Sequence, residues 1–156
     1  MNPGFGEIHD TLKQNQVGVG FAINPDTELP EWSYKFLSTL DQIIVMSVVP
    51  GKSGQKYIEE THSKMARLNS ILNEHNFSGI IEADGGVNIE NIGSVFADGA
   101  RAFVGGGAII GQQDVRAAIK DFRNAVLKSR RRMLLCLLYT SPSPRDRSLS
   151  RMPSSA

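Results

Sequence analysis

The sequence predicts an α/β fold: four parallel strands alternating with helices, the C-terminal half of a (β/α)8 TIM barrel. Three observations predict it. Apolar runs at 17–23, 42–49, 80–83 and 102–104 alternate with segments of helical periodicity. Near-continuous apolar strands of this kind belong to parallel sheets covered by helices. The last three runs each end in glycines: Pro50-Gly51-Lys52-Ser53-Gly54-Gln55, Gly85-Gly86 and Gly105-Gly106-Gly107. Finally, every polar or Gly-rich motif follows a strand and none precedes one. Barrel sites lie at the C-terminal ends of the strands, and phosphate is often held after strands seven and eight. A doubly wound sheet is the alternative. Its first strand–helix turn would carry G-x-G-x-x-G, and Asn24-Pro25-Asp26-Thr27 stands there instead.

The elements follow in order. Ile8 and Leu12, four apart in a polar segment, mark the end of a helix. Residues 17–23 read as a buried strand closed by the turn Asn24-Pro25-Asp26-Thr27. Pro30 suits the first turn of a helix with Trp32, Phe36 and Leu37 on its apolar side. Residues 42–49 form the second strand. Ile58, Met65, Leu68, Ile71 and Leu72 then fall on one face of a long helix. After the strand at 80–83, Asn88 can cap a helix through Ile89, Ile92, Val95 and Phe96, which Gly99 ends. After the strand at 102–104, Asp114 can cap a last helix carrying Val115, Ala118, Ile119, Phe122 and Val126.

The chain of 156 residues divides at residue 129. Residues 1–129 hold 11 basic and 15 acidic side chains, a net charge of −4. Residues 130–156 hold six Arg and one Asp, a net of +5. The mildly acidic first part gives no support to nucleic-acid binding. Cys136 is the single cysteine, so no intrachain disulfide forms, which fits a cytoplasmic location. No signal peptide stands at the N-terminus, and the apolar run 133–139 is far too short to span a bilayer. The stretch 136–146, Cys-Leu-Leu-Tyr-Thr-Ser-Pro-Ser-Pro-Arg-Asp, resembles a translated transposon-end sequencing adapter. Residues 130–156 are therefore expected to be a non-native or disordered tail, and Met1 need not be the natural start.

The chemistry concentrates at Ile80-Ile81-Glu82-Ala83-Asp84-Gly85-Gly86-Val87. An apolar strand delivers a carboxylate, and two glycines then let the backbone close on an anion. Taken alone, Asp84 reads equally as a turn or capping residue; ordinary strand–helix turns also favour glycine, but three such loops in phase favour an anion-binding reading. Met46 reads equally as a core residue. His9, His62 and His75 lie in predicted helices or at their ends, and read as surface residues.

Four motifs together resemble the ribulose-phosphate 3-epimerase family, across residues of about 7 to 128. They are Asn24-Pro25-x-Thr27; Val45-Met46-Ser47-Val48-x-Pro50-Gly51-x-x-Gly54-Gln55; Glu82-x-Asp84-Gly85-Gly86-Val87; and Gly99-Ala100 leading to Val104-x-Gly106-x-Ala108-Ile109. The resemblance implies strands five to eight of a barrel that inverts C3 of D-ribulose 5-phosphate to give D-xylulose 5-phosphate, within pentose-phosphate and carbohydrate metabolism. Such an inversion takes a proton from one face and returns one to the other, so it needs two acid/base groups. A divalent metal ion (Zn, Fe, Mn or Co) stabilises the enediolate. By resemblance, Asp84 is the strand-seven acid, both catalytic group and metal ligand. Gly51, Lys52, Ser53, Gly54, Gly85, Gly86, Gly106 and Gly107 surround the substrate phosphate, and Met46 forms an apolar wall.

The family's other acid and its two His ligands have no counterpart here, so the isolated chain is expected to be inactive. Two positions depart from the family pattern. Lys52-Ser53 stands where Phe-Gly is usual, and Gly107 where Ser is usual, which leaves the sugar phosphate open. The alternatives are an allulose 6-phosphate 3-epimerase, a hexulose-phosphate lyase-type barrel, or a non-catalytic phosphate-binding half-barrel. The expected partner is a phosphorylated ketose, with no nucleic acid and no membrane. A homo-oligomeric parent enzyme is compatible with all of these. A half-barrel would also carry two open sheet edges.

Overall fold

A computed structural model of the chain describes residues 4–51 and 54–140, with side chains described through residue 133. Four parallel strands alternate with helices and form an α/β half-barrel. The order along the chain is helix α1 (Phe5–Gln14), strand β1 (Gly20–Ile23), a 3-10 helix (Glu31–Thr39), β2 (Gln42–Met46), α2 (Glu60–Glu74), β3 (Ile80–Asp84), α3 (Ile92–Ala97), β4 (Ala102–Val104), a five-residue π-helix (Gly106–Ile110) and α4 (Val115–Thr140). The sheet order is β1-β2-β3-β4, parallel throughout.

Side chains alternate across this sheet. Ile43, Val45, Ile81 and Ala83 are buried on the helix-covered face. They meet Leu37 and Leu40 from the 3-10 segment, Met65, Leu68 and Leu72 from α2, and Val95 from α3 in one core. Each large apolar side chain buried there contributes about 2 kcal/mol. The opposite face holds the alternate residues, in register. Ala22, Ile44, Glu82 and Ala102 form one row, and Met46, Asp84 and Val104 the next. Gln42 Nε2 donates to Glu82 Oε2 across it at 2.7 Å. This face is less covered: Ile80 is 42% exposed and Val104 39%. Among the described residues β1 and β4 each have one unpaired edge.

Asp41 organises the opposite end of the sheet. Its Oδ2 accepts from Lys13 Nζ at 2.7 Å and from the Val19 N–H at 2.6 Å. Its own N–H donates to Val19 O at 2.8 Å, and its carbonyl accepts from Ile80 N–H at 3.0 Å. The Lys13 bond, then the Val19 N–H, hold the Asp41 carboxyl below its ordinary value.

Several expectations need adjustment. The segment after Pro30 is a 3-10 helix with Pro30 at its N-cap rather than inside an α-helix. Ser33 Oγ donates to Pro30 O at 2.6 Å and Thr39 Oγ1 to Phe36 O at 2.8 Å, both three residues back. That spacing suits the tighter winding. The first strand begins at Gly20 rather than 17, because the Val17 N–H is taken by Leu12 O and the Val19 N–H by Asp41. α3 begins at Ile92, because Asn88 Oδ1 first closes a turn on the N–H groups of Glu90 and Asn91. Gly99, at φ +123°, follows the end of α3 as expected. Asp114 caps α4, its Oδ1 accepting from Ala117 N–H at 2.9 Å.

His9 is a correction: it is 7% exposed, not a surface residue. Phe5 packs on Phe36 and Trp32 with centroids 5.1 Å away, and His9 on Phe36 at 4.9 Å. The His9 ring nitrogens pair with Thr39 Oγ1 and Asp10 Oδ1, both at 2.9 Å, which satisfies them inside this aromatic cluster. α4 passes residue 129 without a break, and the described residues 130–140 are helical; the sequence has no proline between Val115 and Thr140. Among the described residues no helix is long and apolar enough to cross a membrane.

Candidate active site

A cleft of about 1020 Å3 opens at the C-terminal ends of β2, β3 and β4. The strand pattern dictates what faces it. Asp84 is the last residue of β3 and pairs in register with Met46 on β2 and Val104 on β4. Neighbours in register in a parallel sheet share a face, so the carboxylate stands between two apolar side chains. Ser47 seals the row beneath: its N–H donates to Asp84 O at 2.7 Å and its Oγ to Gly85 O at 2.6 Å.

The turn after Asp84 requires glycine twice. Gly85 has φ +120° and Gly86 φ +65°, backbone that L side chains rarely adopt. An added Cβ at Gly85 would run into the Val48 side chain, and at Gly86 into the backbone of Tyr57. The turn is therefore pressed onto the loop that follows β2. Its carbonyl side is held from below: Gly86 O accepts from Asn91 Nδ2 at 3.1 Å, and Asn91 Oδ1 accepts from the Asn88 N–H at 2.8 Å.

Most of the expected site residues converge here. Met46, Gly51, Gly54, Asp84, Gly85, Gly86, Gly106 and Gly107 all line the one cleft. An added Cβ at Gly51, Gly54, Gly106 or Gly107 would meet nothing within 4 Å, so the backbone there lies open to the cleft. Lys52 and Ser53 lie outside the described residues. The cleft also takes in Lys56, Tyr57, Glu59, His62, Asn88 and Asn91, which spacing alone did not single out. Their signal in the sequence is position, since each falls within eight residues of Gly54 or Gly86.

Two groups around this end of the sheet have displaced proton equilibria. Burial raises the Tyr57 hydroxyl above its ordinary range, and the charges of Asp98 and Glu59 add to this. Burial lowers the Lys64 ammonium, opposed by the charges of Glu28 and Asp26. Lys64 Nζ bonds the carbonyls of Asn24, Pro25 (3.2 Å) and Thr27 (2.6 Å), fixing the loop after β1.

The donor set does not amount to a metal centre. Among the described residues no three His, Cys, Asp or Glu side chains come together to hold an ion. Of the carboxylates lining the cleft, Glu59, Asp84 and Glu90, only Asp84 ends a strand. His9 sits under the aromatic cluster, His62 in the first turn of α2, and His75 at the C-cap of that helix.

Strand-end carboxylate, paired left-handed glycines and converging open loops at the C-terminal ends of parallel strands define an α/β protein of the barrel type. Comparison makes this more specific. The family model described as "Ribulose-phosphate 3 epimerase family" matches residues 4–110, and the chain belongs to that family. It is 38% identical over 117 residues to the ribulose-phosphate 3-epimerase of Escherichia coli K12, covering 75% of this chain and 52% of that protein. Against the Methanocaldococcus jannaschii ribulose-phosphate 3-epimerase the identity is 35% over 120 residues, 77% of this chain and 51% of the relative. Against the chloroplastic ribulose-5-phosphate-3-epimerase of Arabidopsis thaliana it is 36% over 119 residues, 74% and 42%. The chain thus spans about half the length of the curated relatives it matches.

Proposed function

We propose that this chain supplies strands five to eight of an enzyme that epimerises C3 of D-ribulose 5-phosphate to D-xylulose 5-phosphate. One observation carries the reading: Asp84 ends β3 and is followed at once by two left-handed glycines, at the mouth of a cleft shared with the glycines after β2 and β4. Backbone N–H groups of Gly51, Gly54, Gly85, Gly86, Gly106 and Gly107 grip the substrate phosphate, with Lys52 and Ser53 completing the first of these loops. Gripping the phosphate fixes the distance from it to C3 and sets the reacting carbon over the Asp84 carboxylate. Asp84 then takes or returns the proton on one face, and Met46 excludes water on its flank. A group outside this chain serves the other face.

Asp84 is also proposed as one ligand of a divalent metal ion (Zn, Fe, Mn or Co), whose other donors lie outside this chain. When bound, such an ion supplies positive charge near the oxygens of the intermediate. The isolated chain has one acid where the chemistry needs two, so it binds phosphate without turnover. This is the second reading that the donor set favours. In this proposal the family fold ends near residue 129, residues 130–156 lie outside it, and the enzyme is cytoplasmic.

A chimera tests the reading. The N-terminal half of the E. coli relative is joined to residues 17–129, and epimerisation of D-ribulose 5-phosphate is measured by a coupled assay. Turnover by the chimera, none by the isolated chain, and a roughly 10^2- to 10^4-fold loss on Asp84→Asn with phosphate affinity kept are the expected results. An Asp84→Asn chimera with undiminished turnover would remove Asp84 from the chemistry.

A further inference from the structure

His62 and Asp98 pair across the two helices that leave the phosphate cleft. His62 Nδ1 meets the Asp98 carboxylate, 36 residues away in the chain. Both side chains are largely covered, 25% and 22% exposed. On the other ring nitrogen, Glu59 Oε2 stands 3.7 Å from Nε2. The imidazole lies against the Tyr57 ring, centroids 4.9 Å apart at 44°. The Tyr57 backbone in turn lies against Gly86, closely enough that a Cβ there would strike it. Gly86 O is held by Asn91, the N-cap of α3, and Asp98 is the C-cap of that same helix.

These contacts form a closed circuit: Asp98, His62, Tyr57, Gly86, Asn91 and back through α3 to Asp98. The circuit encloses the joint between the loop after β2 and the turn after β3. Among the described residues neither loop has a helix or strand to stiffen it, so its geometry depends on what lies behind. A polar pair tying α2 to α3 opposes separation of the two loops in a way apolar contact does not, because the pair has one geometry. Tyr57 carries the restraint forward: its hydroxyl is buried with no hydrogen-bond partner among the described residues, and its ring packs on His62.

We infer that His62 and Asp98 are a positioning pair for the phosphate grip, holding the Tyr57 backbone against Gly86 so that the two loops close on one anion. The inference rests on the phosphate reading of the cleft. Neither residue is taken to touch the ligand.

The test titrates the full 15N-labelled chain with inorganic phosphate and follows the Gly85, Gly86 and Gly106 amides by NMR. The variants are His62→Ala, Asp98→Ala, the double variant and His62→Asn, whose side-chain amide reproduces the Nδ1 donor. Arg67→Ala, which breaks the α2 ion pair to Glu28 away from the cleft, controls for loss of helix stability. The expected result is a roughly three- to tenfold loss of phosphate affinity in each alanine variant, and no further loss in the double. His62→Asn should recover much of the affinity, and Arg67→Ala should keep it. Equal affinity in wild type and both alanine variants, or strictly additive losses, would overturn the positioning role. A wild-type chain whose glycine amides do not respond to phosphate would instead overturn the phosphate reading itself.

Discussion

Two loops at the same end of the sheet are built on opposite principles. The loop after β1 gathers main-chain carbonyls, and the protein fills the negative pocket with its own cation, Lys64. The turn after β3 presents left-handed glycines and leaves the space above them as cleft. The first is filled when the chain folds; the second leaves its glycine face open to the cleft. A carbonyl buried unpaired is costly, and each loop meets that cost from inside the chain, the first through Lys64 and the second through Ser47 and Asn91.

Three substitutions would break or sharpen this contrast. Gly86→Ala has the largest expected effect, because it imposes both a strained φ and a collision with the Tyr57 backbone. A loss of about 3 kcal/mol in urea unfolding is expected. A fully stable variant would show that the turn is not pressed on its neighbour. Lys64→Met should cost about 2 kcal/mol, since three carbonyls lose a donor while the methylene packing is kept. Amide exchange should quicken around Asn24 and Thr27 and stay unchanged at Gly85 and Gly86. Quickening at both sites would deny that the two loops are independent.

Asp41→Asn has the smallest effect, and its pH dependence carries the information. The folded carboxyl titrates below the ordinary 3.8. Its contribution is therefore present above that value and lost as pH falls through the folded one. The wild-type advantage in Tm should be visible at neutral pH, shrink at high salt, and close in acid. A gap that persists in acid would assign the effect to the lost backbone bond alone.

What could be read in the sequence followed from local rules. Continuous apolar runs placed the strands at 42–49 and 80–83, and Asp84 at a strand end beside glycines. Asp114 announced its helix. The features that were not legible pair residues distant in sequence. His9 looked exposed because its partners, Phe36 and Thr39, are 27 and 30 positions on. Nothing local to Lys64 marks its role, because its acceptors lie 37 to 40 residues back. The 3-10 winding after Pro30 turned on hydroxyl bonds that apolar spacing does not record. For the cleft, the glycines and Asp84 were visible as a motif, whereas His62 and Asn91 entered only when α2 and α3 were set side by side.

Asp41 has a consequence for the far end of the sheet. Strands β2 and β3 run parallel from Gln42 beside Ile80 to Met46 beside Asp84, without a bulge. Their relative phase is therefore set once, where the Asp41 carbonyl receives the Ile80 N–H, about 13 Å from the carboxylate. A slip of one residue there would turn Asp84 from the cleft into the core and bring Ala83 out in its place. The aim of the carboxylate is thus decided at the opposite rim, by a residue that takes no part in lining the cleft.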